Sequence, residues 1–311
     1  MEHSLWVEKY RPKTVEECIL PPRIKDFFSS QIANNDLQHM LLIGGAGCGK
    51  TTIAKAICYE MGVDILFKNA SEDRGIDLVR NEVRGFASTV SFSDGKIKCI
   101  ILDEADYLTD NAQVALRSLI EEFSQNCRFI FTANFPNRII SPIKSRCAVV
   151  DFNLSKEEKS NSVIGINKRI ISVLENEGIH YDKKTLAEII IRYFPDFRKI
   201  LLEVQRNCHT GRLIATSFSD VGDEAISQLI GHLKDKDFRK MREWVIQNSD
   251  IDFSLLIKTL FDKMGQLINK DDIPDFILIL NKYDYQASFC MNKEINTTAM
   301  LCDIYGNIDF Q

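Results

Sequence analysis

Gly44-Gly45-Ala46-Gly47-Cys48-Gly49-Lys50-Thr51 has glycines, a lysine and a threonine at the spacing G-x-x-x-x-G-K-[ST], which suits wrapping a phosphate chain. Glycines let the backbone curl until successive N–H groups point inward, and a helix starting there adds the positive end of its dipole. In such a loop Lys50 reaches the β- and γ-phosphates and the Thr51 hydroxyl ligates Mg²⁺. A glycine-rich strand-to-helix turn that binds nothing would show the same letters, so the flanks decide. Met40-Leu41-Leu42-Ile43 before the loop reads as a short buried strand, and Ile53, Ala54, Ala56, Ile57 and Met61 after it recur at helical spacing. The stretch is expected to bind a nucleoside triphosphate.

A second group of residues would turn binding into hydrolysis. Asp103-Glu104 closes the apolar run Cys99-Ile100-Ile101-Leu102. Asp103 there would hold Mg²⁺, directly or through water, and Glu104 would orient or deprotonate an attacking water. An acidic pair after a strand is commonly a solvated strand end; the phosphate loop upstream is what favours chemistry. Asn134 follows Thr132-Ala133 and could hold the same water or the γ-phosphate, or could simply terminate a strand as turn asparagines do. Ser145-Arg146-Cys147 offers Arg146 as an arginine finger, a role worth roughly 10³–10⁵ in rate. Taken alone, Arg146 reads equally as a solvated surface side chain.

The elements that must position these residues alternate. Residues 7–22 form an extended, proline-punctuated lead-in, and Pro22 opens a helix carrying Ile24, Phe27, Phe28 and Ile32. Strands are expected at 40–43, 65–69, 99–103, 128–132 and 148–152. Helices lie between them, including 76–90 and one from about Asn111 to Phe123 with Asp110 as N-cap and Gln113 three residues on. Strand–helix alternation calls for an α/β fold with a five-stranded parallel sheet and ligand at the strands' carboxyl ends. After Phe152 the texture is helical throughout, starting at a Ser155/Glu158 capping box, with stretches near 156–176, 182–193 and 196–209. A second break at Thr216–Asp223 precedes helices near 223–234, 236–248, 252–269 and 272–284, and a final one. The plan is a nucleotide domain over 1–153 and two helical domains over 154–219 and 220–311.

Composition sets outer limits. Of the 311 residues 45% are hydrophobic, enough for packed cores, and no apolar run approaches the ~18 residues of a membrane span. The beginning of the chain has neither a basic n-region nor an apolar h-region, so no signal peptide is expected. The nine cysteines are scattered without a C-x-x-C pair, which argues against zinc and a disulfide framework and suits a reduced cytoplasm. The five histidines show no ligand spacing. A net charge of −5 gives no bulk positive field, so contact with DNA would need a local patch or backbone amides.

Gly44–Thr51, Asp103-Glu104-Ala105-Asp106, Asn134, Ser145-Arg146-Cys147 and Arg198 in Pro195-Asp196-Phe197-Arg198-Lys199 together resemble the ordered motif set of AAA+ ATPases of the clamp-loader clade. Tyr10-Arg11-Pro12 looks like the clamp-loader segment that packs by the adenine. Asn69–Asp77, continuing to Arg80, looks like the segment by which replication-factor-C-type subunits meet DNA. The wording around Glu17–Pro21, Phe86-Ala87-Ser88, Ser91-Phe92 and Pro195–Lys199 is most similar to the large clamp-loader subunits of T-even-like bacteriophages. The resemblance covers roughly residues 5 to 210 and rests beyond that on length and helical texture.

The resemblance implies an AAA+ P-loop NTPase domain followed by a helical lid and an all-helical collar. It implies a DNA-stimulated ATP hydrolase that opens a ring-shaped sliding clamp and loads it onto primer–template DNA during viral DNA replication. Several copies would join a distinct small subunit in a pentamer, in the cytoplasm of the host bacterium if phage-encoded. ATP would contact Tyr10, Arg11, Pro12 and Ile19, the loop residues Gly45, Ala46, Gly47, Cys48, Gly49, Lys50, Thr51 and Thr52, and Arg198, with Mg²⁺ on Thr51 and Asp103. Catalysis would use Lys50, Glu104, Asn134, Arg198 in cis and Arg146 in trans.

DNA would lie against two helix starts, one with Arg74, Gly75, Ile76 and Arg80, the other with Asn111 and Gln113, because helix N-termini and a few arginines hold phosphates without a basic protein overall. Arg74, Arg80 and Arg84 would otherwise form a solvated polar face. Val90 and Phe92 are clamp-facing candidates, although spacing alone would put them in the core. A small-molecule kinase would lack an acceptor site here, a scaffold without hydrolysis should have a decayed loop or a lost Glu104, and a branch-migration motor should carry a C-terminal winged helix.

Overall fold

The computed structural model describes residues 5–89, 97–209, 211–214, 218–248, 251, 253–287, 289–290 and 292–310; Val90 and Phe92 lie outside them. The chain divides into two compact units, Met1–Ala215 and Thr216–Gln311.

In the first unit the short apolar runs become β1 (Met40–Ile43), β2 (Ile65–Asn69), β3 (Lys98–Asp103), β4 (Cys127–Ala133) and β5 (Ala148–Asp151). They pair in parallel in the order β2-β3-β4-β1-β5. β1, β3 and β4 are buried almost throughout, which is why they read as continuous apolar stretches rather than alternating ones. Their side chains divide between two cores. Leu41, Ile100, Leu102, Phe129 and Phe131 pack under the helices at 78–88 and Asp110–Glu122; Leu42, Ile101 and Ile130 pack under Pro22–Ala33 and Lys50–Met61. β4 lies between β3 and β1, so the carboxyl ends of all three sit side by side. That adjacency places the phosphate loop, Asp103-Glu104 and Asn134 together.

Past β5, helices Lys156–Asn176, Lys183–Tyr193 and Phe197–Arg206 enclose Ile166, Ile170, Leu186, Ile190, Ile200 and Val204. The capping box forms as expected: Ser155 Oγ accepts from Glu158 N at 3.2 Å, and Glu158 Oε2 accepts from Ser155 N at 2.8 Å. In the second unit, helices Phe218–Lys234, Phe238–Gln247, Phe253–Leu267, Ile273–Ala287 and Lys293–Asn307 close around Ile226, Leu229, Trp244, Leu260, Phe276 and Met300. The Trp244 indole donates to Ala225 O at 2.6 Å, so the one polar atom of a buried ring is satisfied.

Several local expectations need correction. The lead-in contains a short helix, Trp6–Lys9. The helix expected over 76–90 is wound as π-helix at Leu78–Val83 and its α-helical end is Ser88. The Asp110–Glu122 helix is capped by Thr109, whose Oγ1 accepts from Ala112 N at 3.3 Å, not by Asp110. The region expected to be purely helical includes a two-stranded ribbon, Cys208–His209 with Arg212–Leu213. The helix expected from 223 begins at Phe218.

Candidate nucleotide site

The loop after β1 takes left-handed backbone at Gly47 (φ 68°) and Gly49 (φ 98°), conformations that favour glycine. Gly47 is needed for a second reason. A Cβ there would lie 1.7 Å from Asp196 Oδ1, and the Gly47 carbonyl accepts from Phe197 N at 3.2 Å. The N-terminus of the Phe197–Arg206 helix therefore rests directly on the loop. Asp196 keeps that helix capped, accepting from Lys199 N at 3.0 Å.

Lys50 is 7% exposed, and its ammonium donates to Gly44 O at 2.8 Å, Gly45 O at 2.7 Å and Asn134 Oδ1 at 2.9 Å. Thr51 Oγ1 donates to Asp103 Oδ1 at 2.7 Å, and so does Thr132 Oγ1, also at 2.7 Å. Thr132 Oγ1 in turn accepts from Glu104 N at 2.9 Å. That bond holds Glu104 in a left-handed conformation (φ 53°) that a non-glycine residue adopts only when its surroundings fix it. Burial raises the pKa of the Cys48 thiol, and the neighbouring Lys50 ammonium partly offsets the rise. The thiol is thus kept protonated beside the loop.

Tyr10, Arg11, Pro12 and Ile19 line one concave pocket with Gly47–Thr52 and Arg198. Gly45 and Ala46 lie in the same loop but are not among the lining residues. The N-terminal wall is tied down by Tyr10 Oη and Lys9 Nζ, both donating to Glu177 Oε1, at 2.6 and 2.7 Å. Burial and this hydrogen bond raise the tyrosine pKa, and the Lys9 and Tyr10 donors lower that of Glu177. Arg169, which no motif singles out, also lines the pocket and donates to Tyr10 O at 3.3 Å.

Two further residues contribute through partners that the sequence does not reveal. Thr132 bridges both acidic residues, as described above. Asp106, 4% exposed, accepts from Phe135 N at 3.1 Å and so fixes the turn that follows Asn134. Thr132 could have been found only by knowing that β4 lies beside β3; Asp106 ends the Asp103–Asp106 string but gave no hint of its partner.

Arg146 stands apart from this pocket. Its Nε is 2.9 Å from Glu121 Oε1, its Nη2 also donates to that carboxylate, and Nη1 donates to Pro142 O at 2.8 Å. The guanidinium holds the Glu121 carboxyl below its usual range.

The two expected DNA-facing helix starts are joined, because Thr109 N donates to Arg74 O at 3.1 Å. Arg74, Arg80 and Asn111 are exposed there, with the Arg74 guanidinium 5.1 Å from the Tyr107 ring centroid. Gln113 is not available to a ligand. It is 1% exposed, its amide donates to Leu108 O at 3.3 Å and Arg138 O at 2.9 Å, and its oxygen accepts from Ile140 N at 2.9 Å. Its spacing after Asp110 had suggested an exposed first turn, whereas the side chain staples the helix to the loop at 138–140.

Residues 40–153 match the AAA family, described as ATPases associated with various cellular activities. The chain is 34% identical over 301 residues to the sliding-clamp-loader large subunit of Enterobacteria phage T4, covering 95% of this chain and 93% of that one. It is 34% identical to the replication factor C small subunit of Saccharolobus solfataricus, covering 100% and 89%. With the sliding-clamp-loader large subunit of Escherichia phage RB69 it shares 37% identity over 78% of this chain and 76% of the other. Among solved structures, the Thermotoga maritima RuvB Holliday junction branch migration motor superposes with a TM-score of 0.54 at 15% identity, over 81% of this chain and 85% of that one, a likeness of fold alone.

Proposed function

The chain belongs to the AAA ATPases and, within them, to the sliding-clamp-loader and replication factor C subunits, and we propose that it uses ATP binding and hydrolysis to open a sliding clamp and load it onto primer–template DNA. The observation that carries the hydrolytic part is the meeting of Lys50, Thr51, Asp103, Glu104 and Asn134 through Thr132 and three adjacent strand ends. No helix among the described residues is long and apolar enough to cross a membrane, as suits a machine that works on DNA and a clamp.

Thr51 Oγ1 and Asp103 Oδ1 are already gathered at 2.7 Å, and among the described residues no cluster of three or more acidic, histidine or cysteine ligands exists. One carboxylate, one hydroxyl and substrate phosphates are the donor set that Mg²⁺ favours. When bound, the ion neutralises charge on the β- and γ-phosphates. Lys50 exchanges its loop carbonyls for those phosphates. Glu104, held by the Thr132 hydroxyl, orients and deprotonates the attacking water, and Asn134 holds that water or the γ-phosphate. Arg198 reads the phosphates in cis from the lid. Arg146 acts in trans on ATP held by the next subunit.

The adenine lies against Tyr10, Arg11, Pro12 and Ile19. DNA phosphates lie along Arg74, Gly75, Ile76, Arg80 and the helix start at Asn111, read by backbone shape rather than base identity. The lid spans 154–219, and the helices of 220–311 form the collar of a pentamer shared with a small subunit.

The test is steady-state ATP hydrolysis by this chain assembled with its small partner, with and without primer–template DNA and sliding clamp. Strong stimulation by both together is the expected result; turnover indifferent to both would point to a different AAA machine.

A further inference from the structure

Phe152 ends the part of the chain that the sheet holds. Its N–H donates to Ile43 O at 2.8 Å, and its side chain is buried in one core with Ile24, Phe28 and Ile53. It packs so closely on the phosphate loop that a Cβ at Gly44 would lie 2.8 Å from the Phe152 Cβ. Ser155 already caps the Lys156–Asn176 helix. Asn153 and Leu154 alone lie between these anchorages, so their backbone torsions set the direction in which that helix leaves the sheet.

One side chain spans this link. Arg23 donates from Nη1 to Asp151 O at 2.8 Å, from Nη2 to Asn153 O at 2.9 Å and from Nε to Glu158 Oε1 at 2.8 Å. Ile24 and Phe28 bury the Pro22–Ala33 helix beside Phe152, so the guanidinium is carried by the nucleotide domain. Its acceptors run from the end of β5, through the link, to the third residue of the next helix. Glu158 is also held by the Ser155 N–H of the capping box, and that bond and the Arg23 guanidinium together keep its carboxyl below its usual range. Both members of the ion pair are partly solvated, so it adds little to stability. What a planar fork with donors in fixed directions supplies is an angle.

That angle reaches the nucleotide pocket. Ile166 and Ile170 of the Lys156–Asn176 helix share a core with Ile200 and Val204 of the Phe197–Arg206 helix, so the two tilt together. The second of these helices rests its first turn on Gly47, and Arg198 in that turn lines the pocket. A tilt at 153–154 therefore moves Arg198 relative to the phosphate loop.

We propose that Arg23 is a positioning residue: by gripping both sides of the 153–154 link it sets the lid angle at which Arg198 meets the nucleotide phosphates. The inference rests on the reading, given above, of 154–219 as a lid whose Arg198 contacts those phosphates.

The experiment is equilibrium titration of the full chain with a fluorescent ATP analogue, comparing wild type, R23Q, R198A and the double variant. R198A should weaken binding by roughly tenfold, as loss of a charge-assisted phosphate contact does. R23Q should weaken it by roughly fivefold through misplacement alone. The double variant should bind no more weakly than R198A, because the lid angle then has no arginine to place. R23K keeps the charge without the fork and should recover part of the affinity; E158Q, whose amide oxygen still serves the capping box, should reproduce part of the loss. Amide hydrogen exchange in R23Q should quicken at residues 153–158 and not in the Lys50–Met61 helix. Should R23Q fail to fold, R23K and E158Q carry the same cycle with R198A. Losses that multiply in the double variant, or an R23Q that binds as wild type while R198A does not, overturn the proposal alone. A wild-type chain that does not bind ATP, or an R198A that binds it as wild type does, overturns the reading of the lid and takes the proposal with it.

Discussion

Arg146 is held by Glu121 of its own chain, with Nε 2.9 Å from Oε1, rather than reaching toward the nucleotide pocket of that chain. A guanidinium that serves its own ATP would be found beside Lys50 and Asp103. One that serves a neighbour's ATP can rest on a local carboxylate until the neighbour arrives. Both partners are partly solvated, so the pair is worth little and is easily exchanged.

Arg146→Ala should therefore leave nucleotide binding intact and lower turnover by roughly 10³-fold or more, but only in the assembled complex. Single-turnover hydrolysis in isolated chain and in complex is the measurement. An equal loss in both would put Arg146 in cis.

Lys50 and Glu104 separate binding from chemistry. Lys50→Ala removes the one buried ammonium of the loop and should weaken ATP by at least ~100-fold, about 2.7 kcal/mol, read by equilibrium titration with a fluorescent ATP analogue. Glu104→Gln keeps the shape and the Thr132 bond to its backbone, so ATP should bind normally while turnover falls by roughly 10²–10⁴. Normal turnover in Glu104→Gln would remove that carboxylate from water activation.

Thr132 supplies a sharper test, because its role is visible only in three dimensions. Thr132→Val preserves shape, removes the donor to Asp103 and leaves the Glu104 N–H without its acceptor, at a cost of about 1–3 kcal/mol. The left-handed conformation of Glu104 then loses what fixes it. Turnover should fall at least tenfold with ATP affinity nearly unchanged; a matched loss of affinity, or no kinetic effect, would assign Thr132 to packing only.

These residues also mark where reading the sequence succeeds and where it stops. β1, β3 and β4 were legible because strands buried on both faces read as near-continuous apolar runs, the less buried edge strands β2 and β5 from their short apolar stretches, and the phosphate loop because its glycines and lysine are set by backbone geometry. Gln113 was misread because its partners, at 138 and 140, come from a distant loop that no periodicity reports. Thr109 and Asp110 are both good capping residues, and only the point where the backbone turns helical chooses between them. The ribbon at 208–213 has two residues per strand, too few for alternation to show. The loop's dependence on Gly47 was legible as a motif, but not its reason, the seat of Asp196 upon it.

His39 gives a prediction about stability rather than turnover. Its Nδ1 accepts from Phe129 N at 3.1 Å, which requires the neutral ring, and burial with nearby Arg128 lowers its pKa to about 4. The unfolded chain takes up that proton near pH 6.5. On acidification the unfolded state thus binds a proton that the native state refuses, so stability falls from about pH 6.5 toward pH 4 and levels off below that. The site is only partly buried, so after allowance for solvent screening the loss by pH 5 should be about 1 kcal/mol. His39→Asn places an amide oxygen near the position of Nδ1, accepts the same hydrogen bond and cannot titrate. Urea unfolding at pH 7.5 and 5.0 should show wild type losing that increment relative to the variant, since every other ionisable group is common to both. Parallel losses in the two proteins would mean that the ring nitrogen does not need to stay neutral.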